Sequence, residues 1–189
     1  MLPLSSLLPE ELTEQLQLKP PYRGRQVFRW LHQSLVFDFD GMSDLPEILR
    51  KQLKARAQLV GLRVEETRTD RDVKVVLRTR DDNLVEAVRL GDRSGRQTAC
   101  LSTQAGCGMG CSFCRTAQMG LRRNLRADEI VDQFLIIQAL GKPVSNVVFM
   151  GMGEPLCNLD NLNRAVRVMC HEGAFSFRRI TLSTCGLIE

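Results

Sequence analysis

Three cysteines within one short loop, Cys107-Gly-Met-Gly-Cys111-Ser-Phe-Cys114, constrain this chain more than any other stretch. The loop lies between a β-like run ending near Thr103 and a helix-like run beginning near Ala127. Sulfurs so closely spaced can converge only if the backbone turns sharply, and Gly108 and Gly110 permit torsions that larger residues resist. The arrangement points to a metal site. Three thiolates around a cubic iron–sulfur cluster would leave one iron open to a further ligand, whereas a fourth would close it. A zinc site with a distant fourth ligand, or a group of buried thiols, is the plainer alternative.

Composition narrows the setting. The 189 residues give room for one medium domain, or a small domain with part of a larger one, and 43% hydrophobic residues suffice for a core. No apolar run approaches the roughly 20 residues of a membrane span. The opening Met1-Leu-Pro-Leu-Ser-Ser lacks a basic flank and a signal-peptide hydrophobic region, so a soluble, cytoplasmic protein is expected. Seven cysteines, an odd number, suit reduced thiols better than a secreted disulfide framework. A net charge of +4 says little about a nucleic-acid partner. Local clusters say more: Arg23, Arg25 and Arg29 beside Tyr22 and Trp30 could grip phosphate and stack on bases, or form a solvated face over an aromatic core.

From Leu7 to about Leu62 the pattern is helical and broken by prolines, with Asp44 and Glu47 resembling a capping box that opens a helix through Leu53. The period then becomes strand-like. Val73 to Leu77 and Leu84 to Leu90 flank a turn at Arg80 to Asn83, and a third strand is predicted from about Thr98 to Thr103. A domain boundary near Asp92 divides an N-terminal helical unit with its hairpin, 1–91, from a core, 92–189. Beyond the cysteine loop, a helix over Ala127 to Leu140, a strand over Asn146 to Met150, a helix capped by Asn158 and a strand over Arg179 to Thr184 follow in turn. This alternation predicts an α/β fold whose parallel sheet has right-handed crossovers. In such a sheet ligands bind at the carboxyl ends of the strands. The cysteine loop, Gly151-Met-Gly-Glu-Pro155 and Ser183 to Gly186 all leave strands at that end.

Taken singly, these residues carry bland readings too. Gly151 and Gly153 would let backbone approach a ligand and Glu154 offers a carboxylate to an ammonium group, yet the segment also reads as an ordinary glycine turn. Ser183 alone says almost nothing. Cys100 on a strand is ordinarily a small buried hydrophobe, and Glu86 in Leu84-Val-Glu-Ala-Val88 falls on the solvent face of an alternating strand. Arg115, Arg122, Arg123 and Arg126 form either a solvated face or a set of phosphate contacts.

The Cys-x3-Cys-x2-Cys spacing resembles the signature of radical S-adenosylmethionine (SAM) enzymes. With Cys100-Leu-Ser-Thr-Gln-Ala-Gly-Cys107, Thr116-Ala-Gln-Met-Gly120, Gly151 to Pro155 and Arg179-Ile-Thr-Leu-Ser-Thr184, the chain resembles the RlmN/Cfr family of RNA adenine methyltransferases over essentially its whole length. The resemblance implies a small helical N-terminal domain followed by the first half of a radical SAM partial (β/α)6 barrel. It implies a [4Fe-4S] cluster on Cys107, Cys111 and Cys114, and SAM held by Gly153, Glu154 and Ser183. It further implies that Cys100 attacks a methyl-carrying cysteine to release RNA, and that Glu86 accepts a proton from the adenine carbon, a task suited to a desolvated carboxyl.

The implied substrates are an adenosine in large-subunit ribosomal RNA, with C2 preferred over C8, and one in transfer RNA. An electron donor such as flavodoxin, no membrane, and a monomeric state when complete go with them. The family barrel has later strands and a methyl-accepting cysteine near its end, whereas this sequence stops at Glu189, and Cys185 belongs to the strand motif. The chain is therefore expected to be a fragment or truncated form without turnover of its own. The alternatives are a remnant that binds RNA or a cluster without catalysis, or another radical SAM enzyme. Cys100 and the N-terminal helices argue against the latter.

Overall fold

A computed structural model describes residues 1–187; Ile188 and Glu189, the end of the expected core unit, lie outside the described residues. The chain begins with β1 (Leu2–Pro3), followed by three helices, α1 (Pro9–Gln15), α2 (Arg23–His32) and α3 (Glu47–Arg56). The last of these runs into β2 (Ala57–Gln58), which pairs in parallel with β1. On α2, Val27, Phe28 and Leu31 are buried, as the apolar spacing requires. Helix α3 is not opened by Asp44: its preceding residue is Pro46, and no side chain caps it. The Asp44 carboxylate instead accepts hydrogen bonds from the Trp30 indole, from Gln26 (3.0 Å) and from Arg29 (2.9 Å), fastening α2 to the following loop.

Three antiparallel strands come next, β3 (Arg63–Thr69), β4 (Val73–Arg78) and β5 (Leu84–Gly91), and then β6 (Gln97–Cys100). The sequence pattern gives no sign of β3, because every one of its residues is exposed and none supplies an apolar alternation. Strand β6 stops at Cys100, short of the predicted Thr103, because the Gln133 amide takes both the N–H and the C=O of Ser102 (2.8 and 3.0 Å). A short pair, β7 (Gln104–Gly106) and β8 (Leu121–Asn124), brackets the cysteine loop, with α4 (Arg115–Gln118) between them. Helix α5 (Ala127–Ala139), β9 (Asn146–Phe149), α6 (Leu159–Met169) and β10 (Ile180–Leu182) complete the described order.

One six-stranded sheet, in the order β10-β9-β6-β5-β4-β3, carries both halves. Strands β6, β9 and β10 are mutually parallel with helices between them, which is the first part of a (β/α) barrel. Strand β5 joins β6 antiparallel, with Val88 opposite Cys100, so the expected division at Asp92 falls in a turn between hydrogen-bonded neighbours. Val85, Ala87, Ala99 and Val147 point from one sheet face into the core beneath α5. Because α5 is enclosed by the sheet, α6 and the N-terminal segment, it is buried all round from Ala127 to Ile137 rather than along a single stripe. Each fully buried Ile130, Leu135 or Ile137 side chain contributes about 1.5–3 kcal/mol. No helix among the described residues is long and apolar enough to cross a membrane.

Polar residues inside α5 must find partners there. Asp132 accepts the Gly61 and Leu62 N–H groups (2.6 and 3.0 Å), tying the end of the N-terminal helices to the core, while its other oxygen has no partner. Burial raises its pKa from an ordinary 3.8 to about 7, against the lowering effect of Ser5 and the two amides, with nearby Asp128 adding to the rise. A carboxyl raised in the folded state stabilises fully below its unfolded pKa, and that contribution is lost as pH climbs through the folded value. Wild type should therefore lose stability relative to Asp132→Asn between about pH 4 and about pH 7, at a slope approaching 1.4 kcal/mol per pH unit, and then level off. Thermal unfolding of both proteins across that range checks this; parallel pH profiles would show that Asp132 is ionised throughout.

Candidate functional site

The candidate site lies where β6, β9 and β10 end. Cys107, Cys111 and Cys114 line one cavity of about 370 Å³ together with Gly151, Gly153, Glu154 and Ser183. Three sequence motifs separated by dozens of residues thus meet in one place, because their parallel strands all run toward the same edge. All seven cysteines are free thiols. Among the described residues no three His, Cys, Asp or Glu side chains are close enough to hold a single metal ion, so the thiols stand around the cavity rather than on one point.

Ser102 holds the edge together. Its hydroxyl donates to the Glu86 carbonyl (2.6 Å) and accepts the Met152 N–H (2.8 Å), while its backbone is paired with Gln133. Gln104 extends the same work: its amide oxygen accepts the Glu154 N–H (2.8 Å) and its amide nitrogen donates to Asn124 (2.7 Å). The glycines of the Gly151 to Pro155 loop serve this packing. A Cβ at Gly151 would lie 2.6 Å from the Ser102 hydroxyl, and one at Gly153 would lie 2.5 Å from the Gln104 Cβ. Their small size lets the loop sit against Leu101 to Gln104, a packing role added to the ligand approach that the sequence suggested.

The Glu154 carboxylate is buried and already engaged. It accepts the Thr184 hydroxyl (2.5 Å) and the Cys185 and Leu156 N–H groups (both 3.0 Å). Burial alone would raise its pKa; the Thr184, Cys185 and Leu156 hydrogen bonds outweigh that and hold the carboxyl below the usual range. It is an anion fixed in orientation beside Ser183, which suits it to a cation. Asn158 does not cap α6 with its side chain; it donates to the Thr103 and Leu125 carbonyls (2.7 and 2.8 Å), joining the two stems of the cysteine loop.

Cys100 and Glu86 are not part of the cavity wall, but they share one face of the sheet. Val88, two residues from Glu86, is the cross-strand partner of Cys100, so the two side chains are diagonal neighbours, at a spacing of about 7–8 Å. Burial raises the Cys100 thiol pKa, partly countered by the Met150 backbone. Glu86 is not desolvated: its side chain is 45% exposed and accepts a hydrogen bond from Lys74 (2.9 Å) on the same face. Of the arginines after the cluster loop, Arg123 binds Asp81 and Glu129, and Arg126 binds Asp128. Arg115 and Arg122 make no ion pair among the described residues, and Arg115 donates to the Gln118 side chain (2.9 Å).

Three free thiols in one loop, opening on a cavity with an anchored carboxylate, form a donor set that fits an iron–sulfur cluster with a small-molecule ligand beside it. At the neck of that loop Gly106 has φ of +78°, and a Cβ there would lie 1.9 Å from the Gly120 carbonyl, which accepts the Cys107 N–H (3.1 Å). Gly106→Ala should part this contact at a cost of at least about 1–2 kcal/mol. Amide exchange at Cys107 measures it, and an unchanged exchange rate would mean that the neck does not depend on this glycine.

Comparison with known proteins agrees with this geometry. Residues 8–59 match the family described as the ribosomal RNA large subunit methyltransferase N-terminal domain, and residues 101–189 match the radical SAM superfamily. The dual-specificity RNA methyltransferase RlmN of Syntrophotalea carbinolica is 46% identical over 185 residues, which cover 95% of this chain and 50% of that protein. A probable dual-specificity RNA methyltransferase RlmN of Moorella thermoacetica is 45% identical, with 98% of this chain and 56% of that one covered. The crystal structure of a radical SAM methyltransferase from Sphaerobacter thermophilus superposes with a TM-score of 0.93 at 39% identity, covering 99% of this chain and 58% of that chain. The chain spans about half the length of the curated relatives it matches.

Proposed function

Over the region it spans, the chain belongs to the RlmN-type branch of the radical SAM superfamily, and on that premise we propose that it is the cluster- and SAM-binding part of an RNA methyltransferase. The observation that carries the proposal is the single cavity shared by Cys107, Cys111, Cys114, Glu154 and Ser183. The proposed reaction methylates an adenine ring carbon, C2 in preference to C8, in large-subunit ribosomal RNA and in transfer RNA. It takes place in the cytoplasm, in a monomer, with a donor such as flavodoxin supplying electrons. Residues 1–91 serve as the RNA-binding unit and 92–189 as the radical core.

Cys107, Cys111 and Cys114 would hold three irons of a [4Fe-4S] cluster. Such a cluster, once bound and reduced, would supply the one-electron reduction of SAM that radical chemistry at an unactivated carbon needs. Glu154, with Gly153 and Ser183, would hold the SAM methionyl end: the anchored carboxylate offers its remaining lone pairs to the amino group. On the neighbouring sheet face, Glu86, whose carboxylate accepts a hydrogen bond from Lys74, would accept the proton from the adenine carbon. Cys100 would then attack the sulfur of the cysteine joined to the RNA through the transferred methylene: the S–S bond forms as the sulfur–methylene bond breaks, and the released electron pair takes a proton to complete the methyl group on the departing RNA. That attack needs the thiolate, and burial opposes its formation.

In a chain extended to the relatives' length, Cys100→Ala should keep its cluster, abolish turnover and accumulate RNA covalently attached to protein, as seen on a denaturing gel. In the Cys100 protein, release of that adduct should quicken as pH rises through the elevated thiol pKa. Loss of the cluster in Cys100→Ala with no RNA adduct would assign Cys100 to the cluster instead.

A further inference from the structure

The cysteine loop is joined to the fold by two unequal stems. The entering stem β7 is buried at Gln104, Ala105 and Gly106. The leaving stem β8 is exposed at Leu121, Arg122 and Asn124, so apolar packing cannot fix its position. Arg123 supplies what packing does not. Its guanidinium donates to Asp81 through Nε (2.6 Å) and Nη2, to Glu129 through Nη1 (2.7 Å) and Nη2 (2.8 Å), and to the Asn124 carbonyl through Nη1 (3.0 Å). Every N–H of the group is taken, and both carboxylates are held by two prongs, a fork that a lysine ammonium cannot reproduce.

The two carboxylates belong to different parts of the fold. Asp81 sits in the turn of the β4–β5 hairpin, where it also accepts bonds from Thr79 (2.7 Å) and Asn83 (2.9 Å). Glu129 lies in the first turn of α5 with its side chain 2% exposed, and it also accepts the Arg126 N–H (2.9 Å). A guanidinium between an exposed turn and a buried carboxylate costs desolvation that a surface pair does not, and bidentate geometry on both sides offsets it. The pairing of Ala105 with Arg123 sets this contact one step from the neck of the loop, where Gly106 meets Leu121.

We propose that Arg123 is a positioning residue for the cysteine loop: by pinning β8 to both the hairpin turn at Asp81 and helix α5 at Glu129, it sets the placement of the three thiols. The inference rests on the cluster reading given under Proposed function. It adds that the hairpin carrying Glu86 and the loop carrying the thiols are registered to each other through one side chain.

The test uses the 189-residue chain, reconstituted anaerobically with iron and sulfide, as wild type, Arg123→Gln and Asp81→Asn. Far-UV circular dichroism reports the fold, competition with an iron chelator reports how tightly iron is retained, and electron paramagnetic resonance reports the reduced cluster before and after SAM is added. Both folded variants should hold iron less tightly, by about tenfold for Arg123→Gln and less for Asp81→Asn. Their spectra should be broadened and should respond only partly to SAM, a signature that a merely structural pair would not move. Folded variants that match wild type in iron retention and in spectrum overturn the inference. Should Arg123→Gln fail to fold, Asp81→Asn decides the matter, since it leaves the Arg123–Glu129 contact in place. A wild-type chain that takes up no iron–sulfur cluster overturns the cluster reading and this inference together; a loaded wild type with indistinguishable variants overturns only the inference.

Discussion

The Gln133–Ser102 contact is the interaction on which the site's architecture depends. A buried glutamine on α5 takes both backbone groups of Ser102, and the freed hydroxyl bridges the Glu86 carbonyl and the Met152 N–H. One residue therefore ends β6, steadies the middle of β5 and holds the Gly151 to Pro155 loop. Without it, buried backbone donors and acceptors at the strand end would be left unpaired, each costing about 1–3 kcal/mol. Gln104, two residues on, carries the same order outward to Glu154 and to the leaving stem of the cysteine loop. The loops around the cavity are thus tied by a chain of side-chain hydrogen bonds laid over the buried Leu101, Phe149 and Met152.

Much of this was legible before any coordinates. The helix over Ala127 to Ala139, the strands around Val147 and Thr181, the β4–β5 hairpin and the convergence of three motifs follow from periodicity and spacing. What escaped has physical causes. Strand β3 is a charged edge with no apolar alternation, β8 is short and exposed, and Asp44 looks like a helix cap because caps and hydrogen-bond anchors use the same residue type. Asp128, Glu129, Asp132 and Gln133 are buried although polar, and only the enclosure of α5 reveals them as internal ties. Gln133 and Arg123, which place the site, carry no motif that spacing alone could single out.

Charge has a divided role in this molecule. The run of arginines after the cluster loop reads in sequence as a solvated face or a set of phosphate contacts, yet the fold pairs Arg123 and Arg126 with internal carboxylates and leaves Arg115 and Arg122 without an ion pair among the described residues. In the N-terminal helices, Trp30 is likewise committed to Asp44, while Tyr22 remains 55% exposed beneath the Arg23 guanidinium. The cationic and aromatic side chains that remain unpaired are consequently fewer than the sequence runs suggest.

The central claim is that three thiols and an anchored carboxylate form one site for a cluster and SAM. Mössbauer spectroscopy of the chain reconstituted with iron-57, recorded with and without SAM, tests it most directly. The account predicts a [4Fe-4S] cluster in which a single iron changes its signal when SAM is added, and no such change in Glu154→Ala. A chain that binds only mononuclear metal, or a cluster whose irons all ignore SAM, would contradict it.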